Sequence, residues 1–324
     1  MANLAVVFPG QGSQSIGMLE ELAKSYPIIQ ETFNSASERV NYDIWQLIQE
    51  GPEEKLNQTE ITQVVMLTAN VAVYNLLRQL GLPQPKWMAG HSLGEYAALV
   101  CAEAMSLEDG VQLVAKRGRL MQETIPLGQG AMAAVIGLSD EVVNQICNEI
   151  SNDYEQVSVA NYNTIGQVVI AGHSLAVENA IEKANLKGAR MAKVIPVSVP
   201  CHCSLLKNAA SAFAEVLREV PFKTPEVKVV SNVDLSIYEA PNQIRSLLEE
   251  QLFKPVRWVE IIQLLQKNGI GQFIECGPGK VLSGLIKRID RGLLIFNTHD
   301  KNSIEQTLSH FKTNEVDSIN NLPI

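Results

Sequence analysis

The first apolar run, "LAVVF" at 4–8, is rich in β-branched residues and ends at Pro9-Gly10. That pattern predicts a buried strand entering a loop. Apolar positions then recur at helical spacing from about Met18 to Val40, and again from Ile61 to Leu80. The stretch "GLPQPKWMAG" (81–90) supplies a turn and a short strand that brings the chain to Ser92, with a helix expected from about Leu93. Residues 107–124 give one more amphipathic helix.

The pattern changes after Gly128. "AMAAVIGL" (131–138) reads as a strand, 139–150 as a helix capped by Ser139, and 156–173 as two strands around a turn. A helix near 174–186 and a strand over 190–199 complete a β-α-β-β-α-β order, which predicts an inserted ferredoxin-like subdomain. Strand and helix alternation then resumes: helices over 204–219, 241–252 and 257–268, a strand over 227–232, and "QFIECGPGKVLSGLI" at 272–286. From about Asn302 the chain is polar.

The chain's 324 residues are 46% hydrophobic, enough for one large core and a smaller second one. A net charge of −9 argues against a general nucleic-acid binder, whose phosphate contacts need a basic face. The most apolar candidate span, Ile61 to Leu77, is interrupted by Thr62, Gln63, Thr68, Asn70 and Asn75, so it reads as a buried helix and not a membrane crossing. The N-terminus lacks the basic lead and apolar length of a secretory signal. Five scattered cysteines fit a reducing cytoplasm better than a disulfide framework.

Gly90-His91-Ser92-Leu93-Gly94 fits G-x-S-x-G in the context of strand, sharp turn and helix. Glycines on both sides leave room for a strained turn that lifts a hydroxyl above a sheet edge, and the following helix N-terminus aims free N–H groups at an oxyanion. A hydroxyl still needs a base. Of the five histidines, His91 adjoins the serine, His173 falls in the insert, and His299 and His310 fall in the last polar stretch. His202, in "VSVPCHCSLL", follows a strand and a proline at a plausible sheet edge. A hydrolase of the lipase kind would add an acid between serine and histidine, but Asp109, Asp140 and Asp153 look like helix starts or loops. A carbonyl oxygen could orient the histidine instead.

"FPGQGSQ" (8–14) is a second glycine loop after a strand. It fails the dinucleotide fingerprint at Ser15 and lacks the Gly-Lys-Ser/Thr of a phosphate loop. Its plain reading is a tight turn; its functional one places the Gln11 N–H in an oxyanion hole. Arg117 and Arg119 flank Gly118 on a helix, and an inward-facing arginine there would be a fork for a carboxylate.

Seven segments in order, "FPGQGSQ", "GHSLGEYAAL", "RGRLMQE", "NYN…GQVVIAG", "VSVPCHC", "FKPVRW" and "ECGPGKVL", together resemble the malonyl-CoA:acyl carrier protein transacylase family from residue 4 to about residue 290. The resemblance implies a cytoplasmic enzyme of type II fatty acid synthesis. Its implied fold is α/β, with an α/β-hydrolase-like large subdomain (1–127 and 199–300), an inserted ferredoxin-like small subdomain (128–198) and a polar tail (301–324). It implies Ser92 as nucleophile, His202 as base, the Gln11 and Leu93 N–H groups as oxyanion donors, Arg117 as partner of the malonyl carboxylate, and the Gln251 main-chain carbonyl as the group orienting His202. Malonyl-CoA is the implied substrate and an acyl carrier protein, bringing its own phosphopantetheine, the partner. No cofactor, metal, nucleic acid or membrane is expected, and the chain is expected to be a monomer.

Two departures from the family pattern stand out: Cys201 replaces a more usual serine before the histidine, and "NYNTIGQ" replaces an Asn-Ser-Pro turn. A zinc site at Cys201-His202-Cys203 is disfavoured, because one-residue steps suit tetrahedral coordination poorly. The alternatives are a serine hydrolase or thioesterase, an acyltransferase of a polyketide line, and a non-catalytic carrier-binding module. An acidic carrier needs a local basic surface, for which Lys187, Arg190, Lys280, Lys287 and Arg288 are candidates.

Overall fold

The computed structural model describes residues 3–126, 128–197 and 199–320. Its strands are β1 (Leu4–Phe8), β2 (Trp87–Gly90), β3 (Gly130–Ile136), β4 (Val157–Thr164), β5 (Gln167–His173), β6 (Met191–Val194), β7 (Lys228–Val230), β8 (Gln272–Glu275) and β9 (Leu294–Asn297). They form two sheets: a five-stranded one ordered β7-β2-β1-β8-β9 and a four-stranded one ordered β4-β5-β3-β6.

Every pairing in the larger sheet is parallel. Such a sheet needs helices on both faces, which explains the unbroken apolar run of β1. Leu4, Val6 and Phe8 enter the larger core, against the helix Thr59–Gln79, while Ala5 and Val7 face Trp258, Ile262 and Ile286 on the other side. Fully burying each such large apolar side chain contributes about 1.5–3 kcal/mol. Parallel direction also brings the carboxyl ends of β1, β2, β7 and β8 to one edge, where the loops that follow them gather.

The smaller sheet is antiparallel and has the strand order of a ferredoxin-like unit. The helices Asp140–Ile150 and Ser174–Leu186 cover one of its faces through Val143, Ile146, Val177 and Ala180. Its other face, with Met132, Ala160, Val169 and Ala171, packs on Cys203. β4 is joined to the large subdomain by two backbone bonds, Tyr162 N–H to Val256 O and Val256 N–H to Ala160 O, both 2.9 Å. The chain is therefore α/β with a ferredoxin-like insert, as expected. Leu127 and Ser198, at the expected junctions, lie outside the described residues.

Several elements differ from expectation. The helix over Met18–Val40 is two helices, Glu20–Ser25 and Pro27–Ser37. Pro27 forces the break, since it lacks an N–H and drives Tyr26 into an extended conformation (φ −137°). The strand expected over 190–199 stops at Val194. The tail expected from 301 is instead a helix, Lys301–Asn320, on which Ile304, Leu308 and Phe311 are buried at helical spacing. Residues 321–324 lie outside the described residues. Among the described residues no helix is long and apolar enough to cross a membrane.

Candidate active site

Strand β2 ends at Gly90 and the helix Gly94–Cys101 begins four residues later, so the chain reverses at Ser92, which has φ 52°. A left-handed residue with a side chain costs about 1–2 kcal/mol. Asn232 offsets it: its Oδ1 accepts from Ser92 N–H at 2.8 Å and its Nδ2 donates to Gly90 O at 2.7 Å. Three glycines are required by close approach of backbone to backbone. A Cβ on Gly90 would lie 1.8 Å from the Gly94 carbonyl carbon, one on Gly94 2.0 Å from Phe8 O, and one on Gly10 2.5 Å from His91 O. The loop after β1 is thus pressed against the serine turn, and Asn70 fixes it by donating to Pro9 O at 2.8 Å. The same hypothetical Gly10 Cβ would lie 3.7 Å from Leu93 N, which puts the Leu93 N–H beside the loop carrying Gln11.

His202 Nε2 is 2.7 Å from Ser92 Oγ, and His202 Nδ1 is 2.7 Å from Gln251 O. A carbonyl only accepts, so Nδ1 carries the proton and the Nε2 lone pair faces the serine hydroxyl. None of Asp109, Asp140 and Asp153 takes that orienting position: Asp109 bonds Ser106 at its own helix start. His202 itself has φ 60°, and its N–H donates to Leu252 O at 3.0 Å. The residue is 3% exposed, and burial, reinforced by the nearby Arg117 charge, lowers its pKa to about 3. It is a neutral base at any ordinary pH.

Arg117 lies on the helix Leu107–Thr124 and is 1% exposed. Gly118 lets that helix press against Thr59–Gln79, since a Cβ there would lie 2.5 Å from Glu60 Cα. The guanidinium donates to Gln63 Oε1 at 2.8 Å and to Gln251 Oε1 at 2.9 Å, and sits 5.2 Å from the Tyr96 ring centroid. Its Nε is buried without a hydrogen-bond partner. Arg119 faces out toward Glu60 at 3.7 Å. Of the two arginines, only Arg117 belongs to the site.

Beneath the serine turn is a buried acid that sequence reasoning did not single out. Glu95 is 0% exposed; its Oε1 accepts from Tyr238 OH at 2.6 Å and Asn232 N–H at 3.1 Å, and its Oε2 accepts from Gln251 Nε2. Burial raises its pKa to about 7, against the opposing pull of those donors and Arg117. Gln251 Nε2 also reaches Ser92 O at 3.1 Å. Gln251 therefore serves the site twice, by backbone and by side chain. The signal for Glu95 was an acid inside an otherwise apolar helix, "GEYAALV". Asn232, in "VKVVSN", gave none.

The remaining candidates are spread out. His91 Nε2 is 2.8 Å from Asn163 Oδ1 and its ring meets Trp258 edge-on, tying the serine turn to β4. His173 accepts from Gln156 N–H in the insert, and His299 and His310 lie by Asp300 and Gln272. Cys201 and Cys203 donate to the carbonyls of Val199 and Pro200. Burial pushes the Cys201 thiol up to about 11, so it stays protonated near neutrality. Arg190 and Arg288 line one groove of about 800 Å³ with Gln167, away from the Ser92–His202 pair. A second cavity of about 720 Å³, with Lys207 and Lys254 in its wall, reaches His202.

A family model described as an acyl transferase domain matches residues 5–292. The malonyl CoA-acyl carrier protein transacylase of Escherichia coli (strain K12) is 49% identical over 289 residues, covering 89% of this chain and 93% of the relative. This chain belongs to the malonyl CoA-acyl carrier protein transacylase family. The transacylase structure from Coxiella burnetii superposes with a TM-score of 0.93 at 48% identity, covering 95% of this chain and 97% of that one. A malonyl-transacylase solved in complex with a type II PKS acyl-carrier protein gives a TM-score of 0.94 at 45% identity, covering 95% and 100%. The transacylase likeness thus extends over both subdomains.

Proposed function

We propose that this chain carries a malonyl group from malonyl-CoA to the phosphopantetheine thiol of an acyl carrier protein, through a malonyl ester on Ser92. The observation that carries this is the Ser92–His202–Gln251 chain of contacts, each 2.7 Å, in which a neutral imidazole faces the hydroxyl. His202 takes the Ser92 proton as Oγ attacks the thioester carbonyl, and the oxyanion forms against the Leu93 and Gln11 N–H groups. Collapse expels the coenzyme A thiolate, which takes the proton back from His202. In the second half His202 deprotonates the carrier thiol, the thiolate attacks the ester, and Ser92 recovers its proton. Each half uses the same groups in reverse, a ping-pong cycle.

Arg117 supports the choice of acyl group. Its buried guanidinium bonds the amide oxygens of Gln63 and Gln251 and lies over the Tyr96 ring, so a malonyl carboxylate brings it a charged partner and an acetyl group does not. A charge-assisted bond of this kind contributes about 1.5–3 kcal/mol.

An acidic carrier would be drawn to the groove of Arg190 and Arg288, with Lys287 on the same helix, Val281–Ile289. Lys280 starts that helix next to Gly279, which packs by Ser13 of the glycine loop, while Lys187 ends the helix Ser174–Leu186. We read the protein as a cytoplasmic monomer that needs no cofactor of its own. Incubation with malonyl-CoA and holo carrier protein should give malonyl carrier well ahead of free malonate. Release of malonate at the same rate with or without carrier would make it a hydrolase. The relative solved with a type II PKS carrier makes carriers of both lines worth assaying.

A further inference from the structure

We infer that Glu95 is a positioning residue for acyl selectivity: its carboxylate sets the direction of the Gln251 side-chain amide, and through it the place of the Arg117 guanidinium. The inference rests on the transfer activity proposed above. Glu95 touches no reacting atom. It sits under the site, on the helix that begins at Gly94, with three donors on its two oxygens.

A primary amide has a donor end and an acceptor end, and its direction in a buried site is fixed by what each end meets. At Gln251 the two ends meet opposite demands. As a carboxylate, Glu95 can only accept, so it takes the NH2 end, an arrangement that the Ser92 carbonyl reinforces at 3.1 Å. Arg117 can only donate, so it needs the oxygen end, which it holds at 2.9 Å. The Glu95 carboxylate and the Arg117 guanidinium are thus wired through one amide. Glu95 also supports Asn232, whose side chain clamps the serine turn, and the Gln251 backbone carries His202. A single buried acid therefore braces nucleophile, base and guanidinium.

Glu95→Gln separates charge from shape. The new amide must turn its oxygen toward Tyr238 OH and Asn232 N–H, which leaves its NH2 facing Gln251. Gln251 relieves that clash by turning its own oxygen to residue 95, which gives up its bond to Ser92 O and sets its NH2 against Arg117, donor against donor. The guanidinium has to leave. The new amide oxygen still accepts from Asn232 N–H and His202 keeps its backbone carbonyl, so acetyl transfer should fall much less than malonyl transfer.

The test compares kcat/KM for malonyl-CoA and acetyl-CoA at about pH 9, well above the pKa of about 7 that burial gives the Glu95 carboxyl, so that it is ionised. Glu95→Gln should lower the malonyl-to-acetyl ratio by about tenfold or more. Tyr238→Phe is the control: it removes one donor from the same carboxylate but leaves Oε2 on Gln251, so the ratio should hold. A crystal structure of Glu95→Gln should show Arg117 withdrawn from Gln251, a readout independent of activity. If Glu95→Gln does not fold, Gln251→Met removes the amide while keeping the backbone carbonyl, and the ratio should fall in the same way. An unchanged ratio, an equal loss for both substrates, an equal loss in Tyr238→Phe, or an unmoved Arg117 would overturn the inference. Failure of the unsubstituted protein to accept malonyl from malonyl-CoA would instead sink the activity, and the Arg117 displacement could still be read.

Discussion

Asn232 holds both ends of the turn that carries Ser92, accepting from the Ser92 N–H at 2.8 Å and donating to Gly90 O at 2.7 Å. Those bonds act on a residue at φ 52°, a conformation with an intrinsic cost. Asn232→Ala leaves a donor and an acceptor unmatched in the interior, worth about 1–3 kcal/mol each. Both the melting temperature and the rate of acylation should fall. Loss of stability without loss of acylation rate would mean that the clamp does not position the hydroxyl.

Arg117→Ala should reduce kcat/KM for malonyl-CoA by about 10- to 150-fold, the equivalent of 1.5–3 kcal/mol, and much less for acetyl-CoA. Parallel assays of both thioesters check it. Equal losses would take selectivity away from this residue.

The pH profile tests the environment of His202. Burial, then the Arg117 charge, hold its pKa at about 3 against an ordinary 6.5. A group that stays neutral supplies a base throughout the mildly acidic range, so kcat/KM for acetyl-CoA, which does not draw on the Glu95–Gln251–Arg117 contacts, should show no titration near 6.5 while the protein is folded. Arg117→Ala removes the second cause, and an acid limb should move upward. The sign for stability follows: the unfolded chain takes this proton below 6.5 and the folded one does not. His202 therefore lowers stability progressively as pH falls from 6.5 toward 3, a loss absent from His202→Gln in a melting series. A histidine titration near 6.5 in the unsubstituted enzyme would contradict the buried, neutral base.

The contrast between Gly90-His91-Ser92-Leu93-Gly94 and Asn232 shows what was legible before the structure. Turn geometry is local, so the glycine spacing announced the elbow, and the alternation of strand and helix announced both sheets. Gly118, flanked by both arginines, marked a close helix contact but not which of Arg117 and Arg119 faces inward; that choice was drawn from resemblance. Asn232 and Glu95 act 137 residues apart through one backbone N–H, a contact that no local pattern encodes. The orienting role of Gln251 was drawn from resemblance, because a main-chain carbonyl has no residue type to read. The tail was misread because Ile304, Leu308 and Phe311 are thinly spaced among polar residues, yet they fall on one face of a helix.

The central claim is that Ser92 becomes the carrier of the acyl group because His202 unmasks it. Intact-mass analysis after brief exposure to malonyl-CoA, with peptide mapping of the adduct, tests this directly. One malonyl ester should appear on Ser92, be discharged by holo carrier protein, be absent from Ser92→Ala, and form far more slowly in His202→Ala. An adduct elsewhere, or transfer to the carrier with Ser92→Ala at an undiminished rate, would contradict it.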